Sequence, residues 1–254
     1  MRIVIIGSGN VATHLAKALY SAQQSIEQVY SRNISNAKLL AAEVGAKAID
    51  DLQTIAPTAD LYVVSVKDDA LASVIANMPL VNGVVVHTAG SISVDVLVRF
   101  PNYGVFYPFQ TFTKHSDIDF SQIPVLIESN SQSITKSLIG LASKLSNIVL
   151  EADSKQRGNL HISAVFACNF VNHMYRLADE LLSVNDLPFG LLHPLIKETA
   201  EKVQKLPPSQ TQTGPAGRND VKIIEKHLDD LSGNTELYKI YETLTASIVK
   251  RING

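Results

Sequence analysis

The chain has 254 residues and a net charge of -2; hydrophobic residues make up 46% of it and charged residues 18%. This length fits one large or two modest domains, and the balanced charge argues against a surface that binds nucleic acid. The single cysteine, Cys168, excludes an internal disulfide and a paired-cysteine metal site, so we expect no metal. No apolar run approaches the ~20 residues of a membrane span, and Ile3–Ile6 is too short for a signal sequence. We therefore expect a soluble, cytoplasmic protein that does not bind membranes.

Short β-branched runs alternate with helical stretches over residues 1–152. The runs predict strands at Ile3–Ile6, Gln28–Ser31, Leu61–Val66, Val84–Thr88, Gly104–Tyr107, Val125–Glu128 and Ile148–Glu151. Near-continuous apolar strands between helices are typical of a parallel sheet covered on both faces, although the later strands could join in another direction. The predicted fold class is α/β, with a doubly wound, mainly parallel Rossmann domain over residues 1–152.

From Asp153 onward the pattern becomes helical. Long periodic stretches predict helices at Gln156–Ser183, Phe189–Lys205, Asp220–Leu231 and Thr235–Ile252. Residues 153–254 are therefore predicted to form an all-helical C-terminal domain for substrate binding and dimerisation. The first of these helices is apolar on most faces, which predicts a homodimer that buries it against its mate.

A glycine turn follows the first predicted strand and opens a helix predicted over Asn10–Tyr20. In the run Gly7-Ser8-Gly9-Asn10-Val11-Ala12, the first glycine permits the tight turn and the second lets the backbone approach a pyrophosphate. Ala12 lets the helix pack closely on the strand, and free N–H groups at the helix start would face the phosphates. Glycines that only make a tight turn are the alternative, but the flanking strand and helix favour a dinucleotide site.

The end of the second predicted strand bears on the choice of cofactor. An NAD site usually has Asp or Glu there, but Gln28–Asn33 contains no carboxylate. Arg32 could pair with a 2′-phosphate while Ser31 donates a hydroxyl, which favours NADP(H) as the cofactor. A solvated loop arginine is the alternative interpretation.

Other strand ends should meet at the same edge of the sheet, where ligands of open α/β folds bind. Val66 is expected near a ribose, and Asp68 as the N-cap of the following helix. His87 and Thr88 are expected at the nicotinamide end, His87 as a candidate catalytic residue and Thr88 as a cofactor contact. Gln110 would point toward the substrate. A histidine at a strand end can also be an ordinary hydrogen-bonded polar residue.

Together, the segments Gly7–Ala12, Ser31-Arg32, Val64–Asp68, His87–Ser91 and Pro108–Phe112 resemble the 6-phosphogluconate-dehydrogenase-like superfamily of two-domain reductases. Thr213–Asp220 resembles the C-terminal signature of its Rossmann-like oxidoreductases that carry a helical C-terminal domain of unknown function. That group is similar to deazaflavin-dependent NADP oxidoreductases and is related to pyrroline-5-carboxylate and ketopantoate reductases. The resemblance spans nearly the whole chain and implies a Rossmann domain, NADP(H) and reductase activity.

A polar stripe on the first long helix carries the candidate chemistry. His161 and Asn169 share this stripe, while the other faces of the helix are mostly apolar, which predicts a buried helix. The stripe could form a wall of the site, or it could bond to neighbouring helices or across a dimer interface. Several reductases in the superfamily carry a proton-donating lysine four residues before the corresponding asparagine, where this chain has Val165. His161, one turn earlier, is the candidate replacement because imidazole titrates near neutral pH.

Arg218 lies in a loop rich in proline and glycine and could anchor a substrate carboxylate or phosphate; bonding to carbonyls of its own turn is the alternative. We therefore expect an NADP(H)-dependent oxidoreductase that moves hydride to or from a small polar substrate between the two domains. Val165 keeps open a non-catalytic protein that binds NADP(H) as a sensor or binds a partner.

Overall fold

A computed structural model of the chain describes residues 1–114 and 116–252. Its contacts divide it into two compact units, Met1–Cys168 and the chain from Asn169 on. The long helical segment that follows Asp153 thus contributes to both units. The domain boundary after residue 152 stays a prediction.

The described part of the first unit contains an eight-stranded sheet in the order β3-β2-β1-β4-β5-β6-β7-β8. The strands are β1 Arg2–Ile6, β2 Ser25–Tyr30, β3 Lys47–Ile49, β4 Leu61–Val64, β5 Val84–His87, β6 Tyr103–Pro108, β7 Val125–Ser129 and β8 Val149–Glu151. Neighbouring strands are parallel except β6 and β7, which are antiparallel. The predicted fold class is confirmed, and the last two strands, β7 and β8, run opposite to the other six.

Helices cover both faces of this sheet. They are α1 Asn10–Ser21, α2 Ile34–Val44, α3 Asp68–Asn77 and α4 Gln132–Ala142. One core cluster packs α1, α2 and α4 on one face through residues such as Leu15, Leu40 and Leu138. The other cluster packs α3 on the opposite face, with Leu71 and Phe100 buried in it. The order of the strands reverses between β1 and β4, which places the switch point of the sheet beside the glycine turn.

The helices that follow match the predicted stretches closely. They are α5 Ser154–Ala164, α6 Val171–Ser183, α7 His193–Lys205, α8 Pro208–Thr211, α9 Val221–Asp230 and α10 Thr235–Ile252, with a π-helical turn, Val165–Phe170, joining α5 to α6. The prediction that the long helix is buried is wrong for the single chain: Ile162 is 58% exposed, and Leu177 is the one buried hydrophobic residue that α5 and α6 contribute. Too few residues of this chain pack against the apolar faces of the helix to shield them from solvent.

No helix among the described residues is both long and apolar enough to cross a bilayer. Within residues 1–114 and 116–252, no cluster of three or more His, Cys, Asp or Glu side chains is placed to hold a metal ion.

Candidate functional site

The glycine turn after β1 leaves no room for a side chain at its first position. Gly7 has a φ of 130°, and its N–H donates to the carbonyl oxygen of Tyr30 at 2.9 Å. A Cβ added to Gly7 would lie 2.0 Å from the carbonyl oxygen of Ser65, so the turn is wedged between β2 and the end of β4. Glycine is required here both for the backbone conformation and for the close approach.

Helix α1 begins without a side-chain cap. Gly9 is its N-cap residue, and no side chain accepts from the first-turn N–H groups. A Cβ added to Gly9 would meet nothing within 4 Å, so the space in front of the helix start is open. Unsatisfied N–H groups and the positive end of the helix dipole attract anions. The turn therefore fits the pyrophosphate of a dinucleotide.

A cavity of about 670 Å³ in the first unit opens at this turn. Its volume lies within the range of cofactor and small-molecule sites. The lining runs from Arg32, after β2, to Tyr107 on β6, and four strand spacings of the sheet separate these strands, roughly 19 Å. The predicted cofactor residues that line it are Gly7, Ser8, Gly9, Asn10, Val11, Ser31, Arg32, Val66 and Thr88. Ala12 was also predicted to contact the cofactor, but it does not line the cavity: it is buried in the core, where it lets α1 pack closely on the sheet.

At the β2 end, the turn and the strand are tied together. The Ser8 hydroxyl donates to the Ser31 hydroxyl at 3.0 Å, and Asn33 caps α2 by accepting from the N–H of Ser35. Burial raises the pKa of the Tyr30 hydroxyl, and the nearby charge of Arg32 opposes that rise. Arg32 forms none of the ion pairs found in the described part of the chain. Its guanidinium is therefore available for an anionic group in the cavity.

Next to the glycine turn, Asn10 lines the cavity and also makes a hydrogen bond that stabilises the fold. Its side-chain amide donates to the carbonyl oxygen of Phe112 at 2.9 Å, which fixes the segment after β6 against the start of α1. Gln110 lies in the same segment, lines the cavity and accepts from the N–H of Thr111 at 2.8 Å. The sequence places Gln110 here correctly but gives no sign of the bond from Asn10.

The predicted N-cap role of Asp68 is wrong. Lys67 occupies the N-cap position of α3, and Asp68 is the first helical residue. Its carboxylate instead accepts from the Ser91 hydroxyl at 2.6 Å and lines the cavity. A hydroxyl from the loop after β5 thus takes the place of the helix N–H groups as its partner.

His87 does not line the cavity. The ring is fully buried, and Nδ1 accepts from the N–H of Ala89 at 3.1 Å. Nε2 has no hydrogen-bond partner among the described residues. Burial, together with the positive charge of Arg157, lowers the pKa of His87 to about 4, so the ring is neutral at physiological pH. The ring is in the core while Thr88, the next residue, borders the cavity, so direct contact between His87 and a substrate is not supported.

Tyr107 and His161 meet at the β6 end of the cavity. The Tyr107 hydroxyl lies 3.2 Å from His161 Nδ1, and both side chains line the cavity. Gly90 packs directly on this pair: a Cβ there would lie 2.7 Å from the hydroxyl oxygen and 2.8 Å from Nδ1. Burial raises the pKa of Tyr107; the charge of Asp68 adds to the rise and Arg157 opposes it. The phenol is therefore protonated at neutral pH.

The helix that carries His161 is anchored by a buried arginine. Arg157 has no exposed side-chain surface; it forms an ion pair with Glu128 of β7 and donates from Nε to the carbonyl oxygen of Ala89 at 3.2 Å. The Ser154 hydroxyl donates to the same carboxylate at 2.8 Å. These contacts join the start of α5 to the loop after β5. Sequence reasoning missed Arg157 and Tyr107; the signals were an arginine one turn before His161 and a tyrosine near the end of a predicted strand.

The remaining predicted site residues are in or next to the second unit. Val165 begins the π-helical turn, and Asn169, within that turn, is exposed. Arg218 is exposed at the end of a short 3-10 helix, Ala216–Arg218. The catalytic role of Asn169 and the substrate-binding role of Arg218 stay predictions.

Two family matches divide the chain. Residues 2–96 match the family described as NADP oxidoreductase coenzyme F420-dependent, and residues 123–248 match the Domain of unknown function (DUF2520). No curated protein matches the chain.

Solved structures match over nearly the full length. A crystal structure of a "putative NADP oxidoreductase" from Bacteroides fragilis is 47% identical over 98% of both chains, with a TM-score of 0.89. A protein from Thermotoga maritima is 23% identical over 98% of this chain and 99% of its own, with a TM-score of 0.81. A reductive aminase from Aspergillus terreus, in complex with NADPH and ethyl-5-oxohexanoate, is 15% identical over 98% and 94%, with a TM-score of 0.76. The last two likenesses concern the fold alone.

Proposed function

The chain belongs to the NADP oxidoreductase family that these matches describe, as its sequence resemblance indicated, and from this premise we propose that it transfers hydride between NADP(H) and a small polar substrate. The substrate is a carbonyl, an imine or a deazaflavin, and an anionic group on it is compatible with the proposal. The observation that carries the proposal is the cavity that begins at the uncapped start of α1 and reaches the Tyr107–His161 pair.

The chain's own residues hold the cofactor in this scheme. The N–H groups at the start of α1 bind the pyrophosphate, and Arg32 with Ser31 binds the 2′-phosphate of the adenosine. Val66 and Thr88 border the remainder of the dinucleotide. When bound, the nicotinamide supplies or accepts the hydride.

The substrate end of the scheme rests on His161. Its ring lines the cavity, and we assign to it the proton-donating role that a lysine has in several reductases of the superfamily, because Val165 occupies the position of that lysine here. Gln110 orients the substrate. From the sequence pattern alone, Asn169 is a candidate catalytic residue and Arg218 a candidate anchor for an anionic group of the substrate.

The choice of NADP(H) over NAD(H) is tested by Arg32→Ala. Loss of a charge-assisted bond to the 2′-phosphate should weaken NADPH binding by about 10- to 150-fold, the equivalent of ~1.5–3 kcal/mol, and should leave NADH binding nearly unchanged. Lys38→Ala is the control, because it removes an exposed cation from the adjacent helix α2 and so changes the net charge by the same amount. Equal losses for both nucleotides in the Arg32 variant, measured by fluorescence titration, would refute this role.

Turnover is tested with a panel of aldehydes, ketones, imines and a deazaflavin in the presence of NADPH. Oxidation of NADPH that His161→Ala lowers, with NADPH affinity unchanged, supports the oxidoreductase. The second candidate, a sensor or partner-binding protein that binds NADP(H) without turnover, is motivated by Val165. Tight NADPH binding with no oxidation on the whole panel, together with a partner whose binding depends on the nucleotide, would favour it.

A homodimer formed through the helical domain is part of the proposal. Among the described residues from Asn169 on, Leu177 is the one buried hydrophobic side chain, whereas Leu187, Leu191 and Leu195 are 47%, 57% and 62% exposed. Burying apolar surface contributes about 25 cal/mol per Å². An exposed apolar surface of this size therefore favours association with a second copy of the chain. A monomer in light scattering at micromolar concentration would contradict the dimer.

A further inference from the structure

The cavity wall at the β6 end offers a proton donor other than the histidine ring. Tyr107 and His161 both line the cavity, and their polar atoms are 3.2 Å apart. Other polar groups nearby are already engaged: the Thr88 hydroxyl donates to Ser65 at 2.9 Å, and Asp68 accepts from Ser91. The phenol and the imidazole therefore form a two-group unit at the wall.

The direction of the bond between the two groups decides which proton is free. A neutral imidazole protonated on Nδ1 donates to the Tyr107 oxygen, because a phenol oxygen accepts as well as donates. The phenol O–H is then not used by His161 and is free to turn into the cavity. In the opposite direction the phenol would donate to Nδ1, and its proton would be withheld from a substrate.

We propose that the Tyr107 hydroxyl delivers the proton to the substrate and that His161 Nδ1 restores it, a role that rests on the oxidoreductase function proposed above. In the reducing direction, the hydride that forms the new C–H bond would come from the nicotinamide. The Tyr107 O–H bond breaks as its proton passes to the substrate oxygen or nitrogen. The resulting phenolate takes the Nδ1 proton of His161 while Nε2 takes a proton from water. Proton exchange of both ring nitrogens with water then restores the Nδ1-protonated tautomer, so one solvent proton is consumed for each hydride transferred.

The surroundings of the pair fit this relay. Because Gly90 has no Cβ, it leaves room for the Tyr107 hydroxyl oxygen and for Nδ1 of His161. Arg157 is a positioning residue one helical turn before His161; its bond to the carbonyl oxygen of Ala89 and its ion pair with Glu128 fix α5 against the loop that contains Gly90. The pair is thus held from strand, loop and helix at once.

The relay is tested in the full-length protein with Tyr107→Phe, His161→Ala and the control Tyr103→Phe. Tyr103 is a half-buried tyrosine on the same strand and does not line the cavity. General acid catalysis is worth about 10²–10⁴-fold, so Tyr107→Phe should lower kcat by about 100-fold or more, with NADPH affinity within about threefold. Tyr103→Phe should leave kcat within about twofold of the parent. Added imidazole should restore activity to His161→Ala but not to Tyr107→Phe, because only the latter lacks the delivering group.

A second measurement needs neither cofactor nor turnover. In the cofactor-free protein, ¹⁵N NMR of the His161 ring should show the Nδ1-protonated tautomer, and Tyr107→Phe should shift that signal whereas Tyr103→Phe should not. A ring protonated on Nε2 alone, or a signal unmoved by Tyr107→Phe, would overturn the relay. This readout also separates an unfolded variant from an inactive one.

The possible kinetic outcomes separate the relay from the function on which it rests. If the parent protein turns over no substrate of the panel, the oxidoreductase function fails and the relay fails with it. If the parent is active and Tyr107→Phe keeps its kcat, the relay alone is refuted. Lys67 is an exposed cation that also lines the cavity, and a larger loss of kcat in Lys67→Gln than in Tyr107→Phe would assign the proton to Lys67 instead.

Discussion

His87 gives a quantitative prediction of how stability depends on pH. Its pKa is lowered to about 4 in the folded chain by burial and by Arg157, whereas an unfolded histidine has a pKa of about 6.5. The folded state therefore resists protonation that the unfolded state accepts. The stabilising contribution is fully present above about pH 6.5 and is lost as the pH falls from 6.5 toward 4.

The size of this effect follows from the two pKa values. Below both values, a difference of 2.5 pKa units corresponds to about 3 kcal/mol, at 1.36 kcal/mol for each unit. At pH 4.5 the unfolded histidine is almost fully protonated and the folded one is mostly neutral, so about 2.5 kcal/mol of unfolding free energy has been lost relative to high pH. At pH 7.5 this loss is close to zero, and the stabilising contribution of His87 is fully present.

His87→Gln removes the titrating group and keeps a polar side chain. Between pH 7.5 and 4.5, the parent should lose about 2.5 kcal/mol more unfolding free energy than the variant. Urea denaturation at the two pH values measures the loss, and hydrogen exchange of the β5 amides confirms that the transition is that of the first unit. His173→Gln, which removes an exposed histidine from α6, is the control. Equal losses in the parent and the His87 variant would show that burial does not hold this ring neutral.

Two further predictions concern the turn and the buried ion pair. Gly7→Ala should unfold or distort the turn, because the added Cβ would lie 2.0 Å from the carbonyl oxygen of Ser65. Gly9→Ala, with open space around the added Cβ, should keep the unfolding free energy within about 0.5 kcal/mol of the parent. The same variant should weaken NADPH binding at least about tenfold. Thermal denaturation and nucleotide titration of both variants separate these effects, and similar stability for the two would contradict the geometry. Arg157→Met should cost about 3–5 kcal/mol by leaving Glu128 unpaired, and adding Glu128→Gln should recover part of that loss in a denaturant-melting cycle; additive losses would show that the pair is not coupled.

Much of the first unit could be predicted from local sequence. Ile3–Ile6 and Val84–Thr88 are strongly apolar and β-branched, and their flanking glycines and helices leave little choice of fold. The glycine turn was equally clear, because strand, turn and helix occur together in the order that a phosphate site needs. Strand β3 was missed since Lys47–Ile49 has three residues and pairs with β2 alone at the edge of the sheet.

The site was harder to predict because its partners are distant in sequence. Tyr107 and His161 are 54 positions apart, and Ser91 reaches Asp68 across 23 positions, so neither contact has a local signal. His87 was placed at the correct strand end, but adjacent residues of a strand face opposite sides, and the sequence did not show that Thr88 was the one on the cavity. Whether an apolar helix face is buried depends on what packs against it. The spacing of apolar residues along the helix does not show this.

The bare start of α1 links binding to folding. A helix that carries no side-chain cap loses part of its stability to unpaired N–H groups, and a phosphate in front of Gly9 would complete it. Any ligand that binds only the folded chain adds RT ln(1 + [L]/Kd), about 2.7 kcal/mol when its concentration is a hundred times Kd. Helix α2 has its own N-cap, the side chain of Asn33, whereas helix α1 depends on a bound small molecule to cap its first N–H groups. The lifetime of the folded protein would then rise and fall with the supply of the nucleotide.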